Sequence, residues 1–227
     1  MLAAIEVSTR VSSVALLDLV TGEELAECPL PGDWESSVTL IPALETLLKQ
    51  RDLTPQDLAA VAVSTGPGSF TGIRVGIATA EGLCLPGDLL AFGIPTLDGL
   101  AENLRAEEMT GEALCLLDAQ RGEVFAGHYD IGKEDFQELG PASILSMDKL
   151  AGVLKGRAWV SGPGALKYEK EVREALGAQG MFAFTQTHTP KAMSIARLAY
   201  RRWQKGERPR LADLKPLYLR PPAVDEK

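Results

Sequence analysis

The run LAAVAVSTGPGSFTGIRVGIATAEGL, residues 58–83, constrains the fold more than any other stretch of the chain. Its first nine residues are almost continuously apolar. A strand of that kind belongs in the middle of a parallel sheet, covered on both faces. From Thr71 onward the apolar residues recur at helical spacing. Gly66, Gly68, Gly72 and Gly76 stand at and just beyond the junction. A buried strand therefore turns tightly into a helix, which is where α/β proteins keep their chemistry.

The flanking segments extend the pattern. LAAIEVS and SSVALLDL read as strands joined by a polar turn, Thr9 to Val11, and ELAECPL follows Thr21-Gly22 as a third, giving an antiparallel meander. SVTLIPALETLLKQRD has helical spacing, with Pro42 expected in the first turn. LLAFGIP reads as a strand and TLDGLAENLRAEE as a helix capped by Thr96. The order then restarts. EALCLLDAQ, EVFAGHYDI and FQELGPASIL are strands, SMDKLAGVLKG a helix, RAWVSGPG a strand, ALKYEKEVREALG a helix and MFAFTQT a strand. TPKAMSIARLAYRRWQKG is a helix with Thr189 as N-cap and Pro190 as its first residue. The proline-rich tail is expected to be irregular. Each half runs three strands, helix, strand, helix, strand, helix, which points to an internal duplication. The expected division is 1–107 and 108–189, with a tail from 206 to 227 and the helix 190–205 able to pack back on the first lobe.

At 227 residues, 45% hydrophobic and 24% charged, the chain can bury a core in one large or two small domains. Three separated cysteines, Cys28, Cys84 and Cys115, without a C-x-x-C pair, argue against a disulfide scaffold and for a reducing cytoplasm. MLAAIEVSTR has no charged n-region before a long apolar stretch, so no signal peptide is expected, nor is any run long enough to span a bilayer. The net charge of -8 argues against a basic field over the whole surface. It is uneven: Arg197 to Arg220 holds eight basic and two acidic residues, +6, leaving -14 elsewhere. Such a segment would suit RNA phosphates, or simply be a solvated helix face.

Catalytic fingerprints fail on particular residues. Gly72 is followed by Ile73-Arg74, not Lys, so the phosphate-binding P-loop pattern is absent. Gly66 and Gly68 fit a dinucleotide fingerprint, but its third glycine position is Thr71. Ser69 has no flanking glycine pair of the nucleophile-elbow type, and His128 and His188 lie in other segments with no H-x-x-x-H. Two acids end corresponding strands, Glu6 beside Ser8, Thr9 and Arg10, and Asp118 near Arg121. They would suit a magnesium nucleotide in a cleft, but the reading favoured by the residues alone is that Glu6 and Arg10 pair with each other or face water. Gly72, Gly76 and Ala80 recur every four residues on one side of the helix. Glycines inside a helix cost about 1 kcal/mol each against alanine, so a close contact must compensate. By spacing alone, packing on the protein's own sheet is favoured over an interface with a partner helix.

GPGSFTGIRVGIATAEGL, with IEVSTRVSSVALLD before it, LLDAQRGEVFAGHY after it and the closing PLYLRPP, resembles the TsaB (YeaZ) family over about residues 2–220. The resemblance implies two RNase-H-like α/β lobes of the actin, Hsp70 and sugar-kinase superfamily. It implies a non-catalytic, cytoplasmic partner of TsaD in threonylcarbamoyladenosine modification of tRNA, joined by the ATPase TsaE. Self-pairing when alone and tRNA contact through the complex are implied too. This chain would need no cofactor, with ATP or ADP and magnesium at the complex interface. An ATP-binding phosphotransferase or a glycoprotease-like peptidase is the alternative. Family dimer contacts fall on Ser36–Arg51 and Thr71–Leu85, which implicates Leu40, Leu44, Leu47, Gly72, Arg74, Gly76 and Ala80. Gly66, Pro67, Gly68, Ser69, Phe70 and Thr71 would then form a structural turn, and Glu6, Ser8, Thr9 and Asp118 would be the nucleotide-contact candidates. Relatives usually carry Asp where this chain has Glu6, which weakens a nucleotide role there. They also often carry a histidine at the start of the first helix, where this chain has Ser36-Ser37-Val38-Thr39.

Overall fold

Every residue of strand β1 (Leu2–Glu6) is buried. β2 (Ser13–Leu17) pairs with it antiparallel, Glu6 opposite Ser13, and β3 (Glu24–Pro29) extends the meander. Helix α1 (Ser36–Lys49) leads to β4 (Ala60–Gly66), wholly buried and parallel to β1. Helix α2 (Phe70–Cys84), strand β5 (Leu90–Pro95), parallel to β4, and helix α3 (Thr96–Ala106) follow. The strand order is β3-β2-β1-β4-β5. The structure, a computed structural model, describes residues 1–30, 36–85, 87 and 89–220.

The second run has β6 (Gly111–Asp118), β7 (Glu123–Ile131), β8 (Phe136–Ser146), α4 (Met147–Leu150) and β9 (Ala158–Ser161). It ends with α5 (Pro163–Lys167), α6 (Glu169–Leu176), β10 (Gly180–Phe182) and α7 (Ala192–Gln204). Its sheet order, β10-β9-β6-β7-β8, is the first order repeated, with the same parallel and antiparallel pairings. Contacts divide the chain into Met1–Gly99 with Pro190–Pro216, and 100–189 with the described residues from Leu217. Among the described residues no helix is long and apolar enough to cross a membrane.

Strand alternation sorts the first unit into two layers. Ala3, Ile5, Val7, Val61 and Val63 share a core with Leu40, Leu44, Leu47 and Leu48 of α1 and Ile73, Ile77 and Ala80 of α2. Each such leucine or isoleucine contributes about 1.5–3 kcal/mol by leaving water. Leu2, Ala4 and Glu6 point to the other face, where α7 packs across β1, β2, β4 and β5 through Ala192, Met193, Ile195, Ala196 and Ala199. In the second unit Leu114, Leu116, Val160, Val172 and Leu176 form the corresponding core.

Several local readings are corrected. Pro42 lies in the second turn of α1, not the first. Thr96 opens α3, but its buried hydroxyl bonds to no group among the described residues, so it is not a cap. The segment around Gly152 and Gly156 supports a single helical turn, α4. Helix 163–176 is broken at Tyr168 (φ -112, ψ 35), whose hydroxyl donates to Asp118 at 2.9 Å. Residues 185–187 form a 3₁₀ turn and do not continue β10. The described tail is irregular as expected apart from one 3₁₀ turn, Leu211–Asp213, and it is tied to the first sheet where Pro209 accepts from Ala91 N–H at 3.2 Å. Residues 221–227 lie outside the described residues.

Thr189 does not cap α7, because its first free amides are satisfied from the sheet. Ser13 Oγ accepts from Ala192 N–H at 2.8 Å, and Glu27 Oε1 accepts from Met193 N–H at 3.1 Å. Thr189 instead gives its carbonyl to Asn103 at 2.7 Å. Removing a capping hydroxyl costs about 1 kcal/mol. Ser13→Ala is therefore expected to lower the unfolding free energy measured by urea titration by about 1 kcal/mol, whereas Thr189→Ala should change it by less than about 0.5 kcal/mol. Equal losses from the two would contradict this capping arrangement.

Candidate functional site

The glycine junction is built by the close approach of α2 to the end of β1. Gly68, at φ +155, would put a Cβ 2.3 Å from Ser8 O, and Ser8 O accepts from Ser69 N–H at 2.7 Å. Ser69 Oγ in turn accepts from Gly72 N–H at 3.2 Å and so caps α2. A Cβ on Gly72 would lie 2.0 Å from Val7 O, and one on Gly76 would lie 2.6 Å from Val7 Cγ2. Gly66–Pro67 is a cis peptide. Phe70 and Thr71 begin the helix on its exposed side.

The small-residue stripe thus faces inward. Gly72, Gly76 and Ala80 are buried on the chain's own sheet, and Leu40, Leu44 and Leu47 lie in the same core. None of the six can line a partner surface while the fold is intact, which corrects the residue set drawn from the resemblance. Of that set Arg74 alone points outward, its guanidinium 3.9 Å from the Phe70 ring centroid.

What α1 and α2 offer outward is a different set. Val38 is 73% exposed, Ile41 39%, Phe70 37% and Leu85 76%. Ala78 and Gly82 are exposed between the last two, and nothing lies within 4 Å of a Cβ built on Gly82. The two helices pack against each other, so both faces rise from the same layer. Small side chains flanked by larger apolar ones let another helix approach closely. The inner and outer stripes have the same helical period, and spacing alone did not tell them apart; reading the residues left over after the core stripe would have found the outer one.

The acids do not lie open. Glu6 is fully buried. Its Oε1 accepts from both the amide and the hydroxyl of Ser8, which is itself buried. Burial pushes the Glu6 pKa up to about 7 against the pull of the Ser8 bonds, and Glu27 adds a smaller upward push. Thr9 uses its hydroxyl on Val11 O at 3.0 Å. Asp118, in the other unit, holds Lys167 at 2.5 Å, the Tyr168 hydroxyl at 2.9 Å and Gln120 N–H at 2.9 Å. Burial raises its pKa, but these bonds together outweigh that and hold it below the usual carboxylate range.

The histidines are held by their own lobe. His188 Nδ1 lies 3.1 Å from Gly162 N and Nε2 lies 3.1 Å from Ala183 O, so the ring is tied to main chain on both sides. His128 Nε2 lies 2.7 Å from Glu112. Much of the basic run is paired. Arg197 clasps Glu24 at 2.5 and 2.8 Å, Arg202 bonds Glu207 at 2.8 Å and Gly93 O at 2.9 Å, and Arg220 reaches Glu123. Among the described residues no three His, Cys, Asp or Glu side chains group as metal ligands.

Residues 33–217 match the family described as TsaD, tRNA N6-adenosine threonylcarbamoyltransferase. The tRNA threonylcarbamoyladenosine biosynthesis protein TsaB of Bacillus subtilis is 28% identical over 96% of this chain and 93% of its own length. The protein of the same name from Escherichia coli is 31% identical over 70% of this chain and 72% of its own. In fold, YeaZ from Pseudomonas aeruginosa superposes with a TM-score of 0.84 at 24% identity, over 96% of this chain and 99% of that one. A ROK hexokinase from Thermus thermophilus does so at 0.51 and 13% identity, over 87% and 97%, in line with the duplicated sugar-kinase architecture. The chain therefore belongs to the TsaB (YeaZ) family of tRNA threonylcarbamoyladenosine biosynthesis proteins.

Proposed function

We propose that this chain is a non-catalytic subunit in threonylcarbamoyladenosine modification of tRNA, pairing with TsaD through the outward faces of α1 and α2, with TsaE joining the pair. One observation carries the reading: neighbouring helices expose Val38, Ile41, Phe70, Ala78, Gly82 and Leu85 after their inner stripes have been used in the core. Exposed apolar groups of this kind mark interaction surfaces when they gather on one face. Ser69 supports the non-catalytic part, since its hydroxyl caps a helix and has no histidine bonded to it among the described residues. ATP or ADP with magnesium would bind in the complex and not to this chain alone.

The test is reconstitution with TsaD, TsaE, the adenylate-forming enzyme, ATP, threonine, bicarbonate and tRNA. Modified tRNA is expected only when this chain is present, and none from the chain by itself. Equal modification without it would overturn the reading.

A further inference from the structure

The C-terminal end of α7 leaves the core: no residue of the helix after Ala199 is buried. Tyr200 and Trp203 instead stack on one another, ring centroids 6.0 Å apart and planes 18° from parallel. The Arg208 guanidinium lies over the Trp203 ring, 5.1 Å from its centroid. The stack is anchored through Tyr200. Gly22, at φ +77, lies so close that a Cβ there would stand 2.8 Å from the phenol ring. Trp203 is half-buried and Arg208 is exposed.

These planes sit in a basic patch on a fastened frame. Residues 200–216 carry six basic and two acidic side chains, in a chain whose net charge is -8. Both acids are engaged, Glu207 by Arg202 at 2.8 Å and Asp213 by the Arg210 N–H at 2.9 Å. Arg208 Nη1 donates to the main-chain oxygens of Trp203 and Glu207 at 2.8 and 2.7 Å, so no carboxylate neutralises it. Arg210 and Lys215 are exposed, and neither side chain pairs with a carboxylate among the described residues. Arg202 reaches Gly93 O, Pro209 O accepts from Ala91 N–H, and Leu214 is buried in the first core. The segment is thus held against β5, and a fixed surface loses little freedom on binding.

Uncompensated cations attract any polyanion, but only a flat ligand uses the stack. Aromatic rings and guanidinium planes are what unpaired bases stack on, while the phosphates follow the cations. An acidic peptide or an anionic lipid headgroup would engage the charges and leave the planes idle. We propose that Tyr200, Trp203 and Arg208, with Arg210 and Lys215, form a contact surface for an unpaired stretch of RNA. The inference rests on the tRNA-modification role proposed above. It gives this chain a direct share in holding the substrate, which pairing with TsaD does not require.

The probe is a labelled hairpin RNA with a single-stranded loop, beside a duplex RNA of the same length, titrated with the full chain alone and with its TsaD complex. The hairpin is expected to bind more tightly than the duplex. For the chain alone, log affinity should fall against log salt with a slope of about -2, the value for three cations on single-stranded phosphates. The triple variant Arg208→Gln, Arg210→Gln, Lys215→Gln should flatten that slope. Trp203→Leu, which keeps apolar bulk, should cost roughly ten-fold in affinity with the slope unchanged. Urea unfolding checks that both variants fold. Wild-type RNA affinity in the triple variant would overturn the proposal. So would equal binding of hairpin and duplex, or full affinity in Trp203→Leu, since either leaves only a general polyanion patch. TsaD affinity separates this surface from the partnership. Variants that keep TsaD and lose RNA support the surface. A wild-type chain that binds the hairpin in this manner but not TsaD would remove the partnership and leave the surface standing.

Discussion

Gly72→Ala is expected to destabilise the first unit by about 3 kcal/mol, a large fraction of the roughly 5–15 kcal/mol that holds a domain folded. The added carbon would meet the main-chain oxygen of Val7 at 2.0 Å, and a main-chain oxygen directly after the central strand β1, on a buried residue, cannot swing aside as a side-chain tip can. Either α2 lifts off the sheet, opening the layer filled by Ile73 and Ile77, or β1 bends and loosens its pairing with β4. Alanine's better helix propensity returns only about 1 kcal/mol. Gly82→Ala in the same helix meets nothing within 4 Å and should gain up to about 1 kcal/mol. Urea unfolding of the two variants beside the wild type reads the difference directly. If Gly72→Ala unfolds at the wild-type midpoint, α2 is not packed on β1 as described.

That contrast shows what the sequence carried and what it did not. The strand, glycine turn and helix were legible because a continuous apolar run and a helical period are local signals. So was the duplication, since both halves repeat one order of elements and both sheets repeat one order of strands. The face of α2 that meets the sheet was not. Gly72, Gly76 and Ala80 share a stripe whichever partner covers it, and only the position of Val7 O decides. The cap of α7 was equally out of reach: Thr189 and Pro190 form a good local start signal, yet Ser13 and Glu27, far away in the chain, take the amides. Glu6 looked like a solvent-facing acid at a strand end because its neighbours Ser8, Thr9 and Arg10 are polar. Its burial depends on α7 lying over that face, which no pattern near residue 6 announces.

Ala78→Arg is expected to leave the chain folded and to weaken its pairing with TsaD by 100-fold or more. Ala78 is exposed on the outward side of α2, so arginine there adds no clash, and its helix propensity is close to that of alanine. Repulsion from Arg74, one turn before it, should cost only a few tenths of a kcal/mol. In a helix–helix interface the same guanidinium would be buried without a partner, a penalty of about 3 kcal/mol or more, which corresponds to the loss in affinity. Titration of TsaD with the wild type and the variant measures it, and the urea midpoint checks the fold. Unchanged affinity would remove the outward face of α2 from the interface and leave α1 as the surface to examine. Gly76→Leu completes the logic, because its side chain would enter Val7 and Val63 and should lower the urea midpoint first. A protein that loses TsaD through Gly76→Leu while keeping its wild-type midpoint would place the stripe outside after all. A protein that loses TsaD through Ala78→Arg alone, with stability intact, separates the face that meets the partner from the face that makes the fold.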